Sequence, residues 1–511
     1  MWKAVKTAPL PIVLLVVSLV CPTELSLFLG GMRLPPHRVA LIVLVIAALI
    51  RVSRAKPIKL MACDGLMLLY GLWSVGIFMF HEGQGPGLQY GGSLALESFA
   101  AYLVARVYIN TTEHLKSCVS LLLLCVVVVG ALAAMESVSH TLIVHSFLKQ
   151  ITGLDVEPGF EIRRGLMRAY STFDHPILYG SFCASTIALA WATSKSMGLA
   201  QRNVAVIAAA TYFGMSSAPL LCIGVQTFLL IWERLSRGIP RRATVTVGVL
   251  VLALFALGFA SNRSPFAIIA TGFTLDPWTG FYRLLIWEHG LNNVSMAPMT
   301  GIGLKDWVRE WWMASDSVDA FWLVIMMRMG VPALALLVLA MTLLLVAIHQ
   351  QKVGMTKEIR RLVIAWTFSV LALSLAGCTV HYWNNLHAYF FFTLGMMAWV
   401  GDSKLARKRA QALARAAAQK AGGAIAQQPA KTPGEIPGRG PLQPYPGMPH
   451  PGISQPQPPF PPHLQPHRGL PHLPPRQDNG RRPSFAHPPP QQSAPPPGFN
   501  RPLAVGTYVV V

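Results

Sequence analysis

The sequence predicts an all-α, polytopic membrane protein with about 12 transmembrane helices. Of its 511 residues, 53% are hydrophobic and only 12% are charged, about half the charged fraction of a soluble domain. Mean hydropathy is positive, at +0.46. A soluble domain could not cover so much apolar surface, so we expect this surface in segments of about 20 residues that cross a bilayer.

Twelve apolar segments are candidates for these helices, and the second, seventh and eighth are short. They comprise residues 9–29, 38–50, 61–80, 92–109, 115–135, 172–194, 203–216, 218–233, 243–260, 319–348, 361–380 and 386–401. Lys3 and Lys6 precede the first segment as they would in a signal peptide. No convincing cleavage site follows it, so we interpret the segment as a retained first helix.

The distribution of basic residues predicts the topology. The chain has 42 basic and 21 acidic residues, for a net charge of +21, which in a soluble protein would suggest nucleic-acid binding. With the N-terminus inside, 22 basic residues fall in predicted inner segments and ten in outer loops. This bias predicts that both termini are cytoplasmic, and it explains the charge without nucleic acid as a partner.

Two predicted outer loops are long, residues 136–171 and 261–318. They hold eight of the ten outer basic residues, and the second holds five of the 13 tryptophans. Basic residues on the outer side oppose the insertion bias, so we expect them to have a function. The sequence therefore places the site in this pair of loops.

The composition changes near residue 404, which divides a membrane domain, 1–403, from a cytoplasmic tail, 404–511. Residues 404–420 are basic and Ala-rich, which predicts a short helix against anionic lipid headgroups. The remainder is rich in Pro, Gln and Gly, and we expect it to be disordered with polyproline character. It is either a docking site for a cytoplasmic partner or a dispensable tail.

Arginines in the two loops are the candidates for anion binding. Arg163, Arg164 and Arg168 lie within six residues at the end of the first loop, and Arg283 lies in the second. Guanidinium groups bind phosphate through two parallel hydrogen bonds. The alternatives are anchoring to lipid headgroups for the first cluster and a salt bridge to Glu288 for Arg283.

Arg328 and Asp319 lie where the second loop enters the next predicted span. Arg328 follows Asp319 by nine residues, about 14 Å along one continuous helix. That position would place a permanent charge well inside the bilayer, where it needs a polar cavity or a partner. Asp319 precedes an apolar run, so it is a candidate for a helix N-cap or for a general base, and the two roles are compatible.

Tryptophans of the second loop could stack on sugar rings, because both groups present apolar faces. The candidates are Trp287, Trp311 and Trp312. An interfacial aromatic belt is the commoner use of such residues and remains the alternative. The sequence has no zinc signature and no nucleotide-binding loop, so we expect neither a metal nor a cofactor.

Three segments, in this order, resemble the O-antigen ligase and Wzy-type polysaccharide polymerase superfamily. They are RAYSTFDHPILYG at 168–180, RLLIWEHG followed by APMTGIG between 283 and 303, and SVDAFWLVIMMRMG at 317–330. Ligases of this family carry a histidine where Asp319 stands here. The chain therefore looks more like the exopolysaccharide polymerase branch.

The resemblance implies a metal-independent glycosyltransferase at the periplasmic face of a bacterial inner membrane. Such an enzyme polymerises undecaprenyl-diphosphate-linked oligosaccharide repeat units into exopolysaccharide or O-antigen. The arginines that would surround the diphosphate are Arg164, Arg168, Arg283 and Arg328. Asp319 or His289 would accept the proton of the acceptor hydroxyl.

Three other functions remain open at this point. Within the same family, a ligase transfers a finished glycan to a lipid core or a protein. A secondary transporter also has about twelve spans with both termini inside, and a non-catalytic scaffold for an export assembly would use the Pro-rich tail. A chain-length regulator or an export complex is a further candidate partner.

Overall fold

The computed structural model describes residues 7–29, 32–55, 57–154, 159–239, 277–313, 315–351 and 355–426. The chain divides into a first unit that ends at Gly422 and a second unit, Gly423–Tyr508. The elements below belong to the first unit, apart from the end of the last helix. The predicted span 243–260, part of the second loop and most of the tail lie outside the described residues.

Helices make up most of the described residues, and six of them are long and apolar enough to cross a membrane. These six are Ala62–Glu82, Thr112–Ser139, Pro176–Thr193, Ser217–Gly238, Val331–Gln350 and Lys357–Ala376. The shorter helix Leu10–Leu19 is also apolar. The protein is therefore an all-α membrane protein.

The helices are numbered here in chain order. They are α1 (Leu10–Leu19), α2 (Pro36–Ala55), α3 (Ala62–Glu82), α4 (Gln84–Ala95), α5 (Ala101–Tyr108), α6 (Thr112–Ser139), α7 (Ile143–Thr152), α8 (Pro176–Ser185), α9 (Ile187–Thr193), α10 (Met197–Tyr212), α11 (Ser217–Leu235), α12 (Pro277–Met296), α13 (Phe321–Met329), α14 (Val331–Gln350), α15 (Lys357–Ala376), α16 (Asn384–Gly395), α17 (Ala398–Gly401) and α18 (Ser403–Ala426). A π-helical turn, Leu96–Ala100, joins α4 to α5. Two antiparallel hairpins pair β1 (Leu27–Leu29) with β2 (Met32–Leu34), and β3 (Ile162–Arg163) with β4 (Leu166–Met167).

Two predicted spans differ from the helices that form. The helix predicted at 9–29 ends at Leu19, and the β1–β2 hairpin follows. The span predicted at 319–348 is divided into α13 and α14 by Gly330, which has a φ of +81°. A Cβ at Gly330 would lie 2.3 Å from the carbonyl oxygen of Met299, so only glycine allows both the conformation and the close approach.

Both predicted outer loops contain regular structure. In the first, α6 continues to Ser139, and α7 and the β3–β4 hairpin follow. Arg164 and Gly165 form the tip of this hairpin, with φ values of +53° and +78°, which is typical of a two-residue type I′ turn. The hairpin is held against α6, because the Ser137 hydroxyl donates to the carbonyl of Met167 at 2.7 Å. In the second loop, α12 extends over 20 residues.

A buried ionic network ties α3 and α5 to the chain before α18. Arg106 is fully buried, with its Nη2 3.0 Å from Asp402 and its Nε 3.4 Å from Asp64. The Tyr102 hydroxyl donates to Asp64 at 2.5 Å, and the backbone N–H of Lys59 donates to Asp402 at 2.7 Å. The two carboxylates therefore share one guanidinium that water does not reach.

We expect Arg106→Gln to destabilise the protein by about 3–5 kcal/mol, because it leaves two buried carboxylates without a cation. The loss would appear as a lower Tm of the purified protein in detergent. Arg51→Gln is the matched control, since Arg51 is exposed and its guanidinium lies 5.0 Å from the ring centroid of Tyr108. That control should cost about 1 kcal/mol or less. Equal Tm values for the two variants would contradict the network's structural role.

Candidate functional site

The β3–β4 hairpin positions two arginines around one carboxylate. Arg163 Nε lies 2.6 Å from Glu161 Oε1, and Arg168 Nη1 lies 2.5 Å from Glu161 Oε2. Burial alone would raise the pKa of Glu161, but Arg168 and Arg163 outweigh it and hold that pKa below its usual range. Two guanidinium groups therefore share one negative charge.

The backbone that follows α10 holds the same two arginines in place. Arg163 Nη1 donates to the carbonyl of Met215 at 3.0 Å, and Arg168 Nε donates to that of Gly214 at 3.4 Å. Met215 itself has a positive φ of +42°, and in this turn the carbonyls of Gly214 and Met215 accept from the two arginines. The hairpin arginines are thus fixed by an element about 50 residues further along the chain.

Arg283 on α12 is the charge that this cluster leaves unpaired. Its side chain is buried, at 5% exposure, and its Nε has no hydrogen-bond partner among the described residues. Burial lowers the pKa of Arg283; Asp319 opposes this effect, and Arg163 and Arg168 add to it. The group still stays protonated, as arginine does in proteins. A buried guanidinium without a partner is costly, and the obvious relief is a bound anion.

Asp319 lies close enough to Arg283 to interact with it electrostatically. The carboxylate is half-buried, and its Oδ1 accepts a hydrogen bond from the Ser317 hydroxyl at 2.9 Å. The N-cap of α13 is Ala320, and no side chain caps this helix. The prediction that Asp319 is an N-cap is therefore wrong, because the helix begins one residue later than the role requires.

Arg328 lies at the end of α13, just before the break at Gly330. Its Nη1 donates to the carbonyls of Gly303 and Lys305 at 2.9 and 2.7 Å. The turn that contains these carbonyls packs on the break between α13 and α14, and the N–H of Leu304 donates to Glu82 at 2.7 Å. The single helix predicted at 319–348 is interrupted at Gly330, two residues after Arg328. The carbonyls of Gly303 and Lys305 are the polar partners that a charge at this position needs.

The other predicted site residues are dispersed. Arg164 is exposed at the tip of the hairpin. His289 is half-buried, six residues after Arg283 and about 120° away around the helix axis, and no described residue bonds to its side chain. The Trp287 indole donates to the carbonyl of Cys378 at 2.7 Å. Trp311 and Trp312 are 91% and 43% exposed, as a sugar-stacking or an interfacial role requires.

Sequence reasoning missed Glu161, which belongs to this cluster, and His175, which lies outside it at the start of α8. Glu161 lies two positions before Arg163 in the sequence. An acidic residue so close to the arginine cluster could have been predicted as a salt-bridge partner. His175 accepts a hydrogen bond from the N–H of Ile177 at 3.1 Å through Nδ1, and so caps α8. Burial and the adjacent Arg168 lower the pKa of His175 to about 3, so this imidazole is neutral at physiological pH.

A second polar cluster lies where α2 meets the π-helical turn. Glu97 Oε1 accepts from His37 Nε2 at 3.0 Å and from Arg38 Nε at 2.7 Å. Both Glu97 and His37 are buried, at 1% and 0% exposure. Glu97 precedes Arg106 by nine residues, about 14 Å along a helix. π-helical turns are often found at functional sites.

In comparisons with known proteins, no family model and no curated protein sequence matches this chain. The charges of the cluster indicate which ligands it can bind. Three guanidinium groups and two carboxylates interact between the first loop and the second. Among the described residues, Arg283 Nε has no hydrogen-bond partner. A cluster with this charge balance can bind a phosphate or diphosphate beside a carboxylate that is available as a base.

We expect stability to fall on acidification in a way that depends on His175. Its folded-state pKa lies below that of a free histidine, so the unfolded chain takes up the proton first, and stability is lost as the pH falls below about 6.5. His175→Asn keeps a capping side chain but removes the titrating ring. The fall in Tm between pH 7 and pH 5 should be smaller in this variant. An unchanged fall would contradict a buried, neutral His175.

Proposed function

We propose that the protein is an inner-membrane glycosyltransferase that polymerises undecaprenyl-diphosphate-linked repeat units into exopolysaccharide or O-antigen. The observation that carries this proposal is the buried, unpaired Arg283 beside Arg163, Arg168 and Asp319. These residues come from both predicted outer loops, and three of them belong to segments that resemble the polymerase family. A lipid diphosphate is an anion that reaches such a site from within the membrane.

The reaction joins an acceptor hydroxyl to the anomeric carbon of the donor glycan. As the new C–O bond forms, the bond between the anomeric carbon and the diphosphate oxygen breaks, and its electron pair leaves with the diphosphate. Arg283 stabilises the developing negative charge, with Arg168 and Arg163 on the adjacent hairpin. Asp319 accepts the proton of the hydroxyl through Oδ2, the oxygen that Ser317 leaves unbonded.

The membrane topology in this proposal follows the distribution of basic residues. Both termini are cytoplasmic, and the segments 136–171 and 261–318 are periplasmic. α18 covers the segment 404–420, predicted to be a helix that lies on anionic lipid. The tail that follows is a docking site for a chain-length regulator or an export complex.

Reporter fusions test this topology. Fusions after Lys59 and Arg361 should read as cytoplasmic, because basic residues surround both positions. A fusion within residues 290–300 should read as periplasmic. A cytoplasmic reading at that last position would place Arg283 on the wrong face for the proposed reaction and would overturn the function with it.

Arg283→Lys is the sharpest test of diphosphate binding. The ammonium group keeps the charge but loses the planar pair of donors, so we expect about a 10- to 100-fold loss of polymer formation. The assay measures polymer formed from lipid-linked donor at equal membrane abundance. Arg309→Lys is the matched control in the same loop, where the guanidinium already pairs with Asp306 at 2.6 Å. Near-normal activity of Arg283→Lys would contradict a diphosphate clamp.

Asp319→Asn tests the base. Because Asp319 does not cap α13, the substitution removes no helix cap, and the variant is compared with the wild type at equal membrane abundance. It should reduce polymer formation about 100-fold or more, since an amide cannot accept the proton. Normal polymer from this variant would remove Asp319 from the mechanism and leave His289 as the candidate base.

A ligase is the alternative within the same chemistry. A strain that lacks this protein would distinguish the two, because a missing polymerase leaves single repeat units on the carrier lipid. A missing ligase would instead leave long chains on the carrier lipid.

A secondary transporter is the second candidate, and the buried Glu97–His37–Arg38 cluster favours it. Buried ionisable groups on an irregular helix within a membrane are typical of transport sites. Purified protein in liposomes without an ion gradient separates the two functions. Polymer formation there would support the enzyme, whereas gradient-dependent uptake that Glu97→Gln abolishes would support the transporter.

A further inference from the structure

Trp383, in the segment between α15 and α16, contacts the rings of two histidines. The Trp383 ring lies 5.8 Å from the ring of His175, edge to face, and 5.8 Å from that of His381, nearly parallel. His175 comes from the start of α8, more than 200 residues earlier in the chain. Tyr170 extends the group, with its ring 6.0 Å from that of His175. No sequence motif pointed to His381 or Trp383.

These rings carry polar atoms that the described residues leave unbonded. His175 Nδ1 accepts the N–H of Ile177, so the neutral ring carries its proton on Nε2, which has no partner in the described part of the chain. His381 Nδ1 is buried and also unpartnered there. The Trp383 indole N–H makes no bond to the described residues either. Of these atoms, His381 Nδ1 is the buried one, and a buried polar atom without a partner favours a ligand that can satisfy it. His175 and Trp383 are half-buried, so their N–H groups are open to a ligand.

The two imidazoles are suited to hydroxyl groups. Burial lowers the pKa of His381 to about 3, with His387 and Arg328 adding to the effect, and the pKa of His175 is also about 3. Each ring is therefore neutral, and a pKa this low makes it a weak base. His175 offers the N–H of Nε2 as a donor because Nδ1 already accepts from Ile177, whereas His381 offers one donor and one acceptor. An aromatic face between two such rings matches a sugar, which has apolar faces and hydroxyl edges.

The histidine rings lie between the hairpin arginines, Arg163 and Arg168, and Arg328. His175 lies within the electrostatic influence of Arg168 and Arg163, and His381 within that of Arg328. A phosphate bound by Arg168 and Arg163 would therefore lie nearest His175 among these rings. Arg328, whose Nη1 is held by loop carbonyls, acts on His381 instead.

We propose that His175, His381 and Trp383 form a subsite for a sugar residue of the lipid-linked glycan, next to the diphosphate. This inference rests on the proposed function and adds the residues that bind the glycan itself. The three rings bind and orient the sugar through its hydroxyls and one apolar face. They take no part in proton transfer, which belongs to Asp319.

The test compares two probes that share the diphosphate. One is undecaprenyl diphosphate without sugar, and the other is the lipid-linked repeat unit extracted from the producing strain. The variants are His175→Asn, which keeps the cap of α8, His381→Gln and Trp383→Leu. Each should weaken binding of the glycosylated probe about five- to tenfold, the effect of one lost hydrogen bond or stacking contact. Each should change the Kd of the bare carrier less than twofold, which also shows that the variant is folded.

Two controls and two outcomes complete the experiment. His349→Asn and Trp191→Phe make comparable substitutions away from this cluster and should leave both Kd values unchanged. Arg283→Lys should weaken both probes equally. If the three variants leave the glycosylated probe unaffected, or weaken both probes alike, the sugar subsite is wrong and the proposed function stands. If the wild-type protein binds neither probe, the proposed function is overturned and the subsite with it.

Discussion

A buried guanidinium needs a negative partner, and this constraint organises the described structure. Arg106 is held between Asp64 and Asp402. Arg38 pairs with Glu97 at 2.7 Å, and Arg168 pairs with Glu161 at 2.5 Å. Arg283 is the exception among these buried arginines. The exception is informative because an unpaired charge is expensive to bury, and the nearest charges to it are two further arginines and one carboxylate.

The second constraint is the close packing of the 298–305 turn against the break between α13 and α14. Gly301, Gly303 and Gly330 all have positive φ, and a Cβ on any of them would lie within 2.6 Å of another atom. Gly301 and Gly330 are needed where the turn meets this break, and Gly303 is needed where the turn meets His81 and Glu82 of α3. This packing fixes the end of α13. The 298–305 turn also carries the carbonyls of Gly303 and Lys305, which accept hydrogen bonds from Arg328.

The sequence identified two loops whose charged residues interact. Both loops chosen for their basic residues do meet, since Arg283 lies within the electrostatic influence of Arg168. The sequence did not predict the salt-bridge and hydrogen-bond partners of these residues. Arg168 was predicted to bind the diphosphate with Arg164, Arg283 and Arg328, and the structure adds that Glu161 already pairs with its Nη1. Arg328 was predicted to lie on a continuous helix, because no local pattern shows that a distant turn packs on Gly330.

The sequence by itself determined the class of the protein. Hydropathy and charge distribution are sums over neighbouring residues, and the preference of each residue for lipid or water is set before any tertiary contact forms. Only the tertiary structure decided which charges are paired and which polar rings meet. Glu97 bonds to Arg38 across 59 residues, and Asp174 accepts from Asn384 across 210. Such pairings depend on how helices pack, and packing is a property of the whole chain that no local pattern contains.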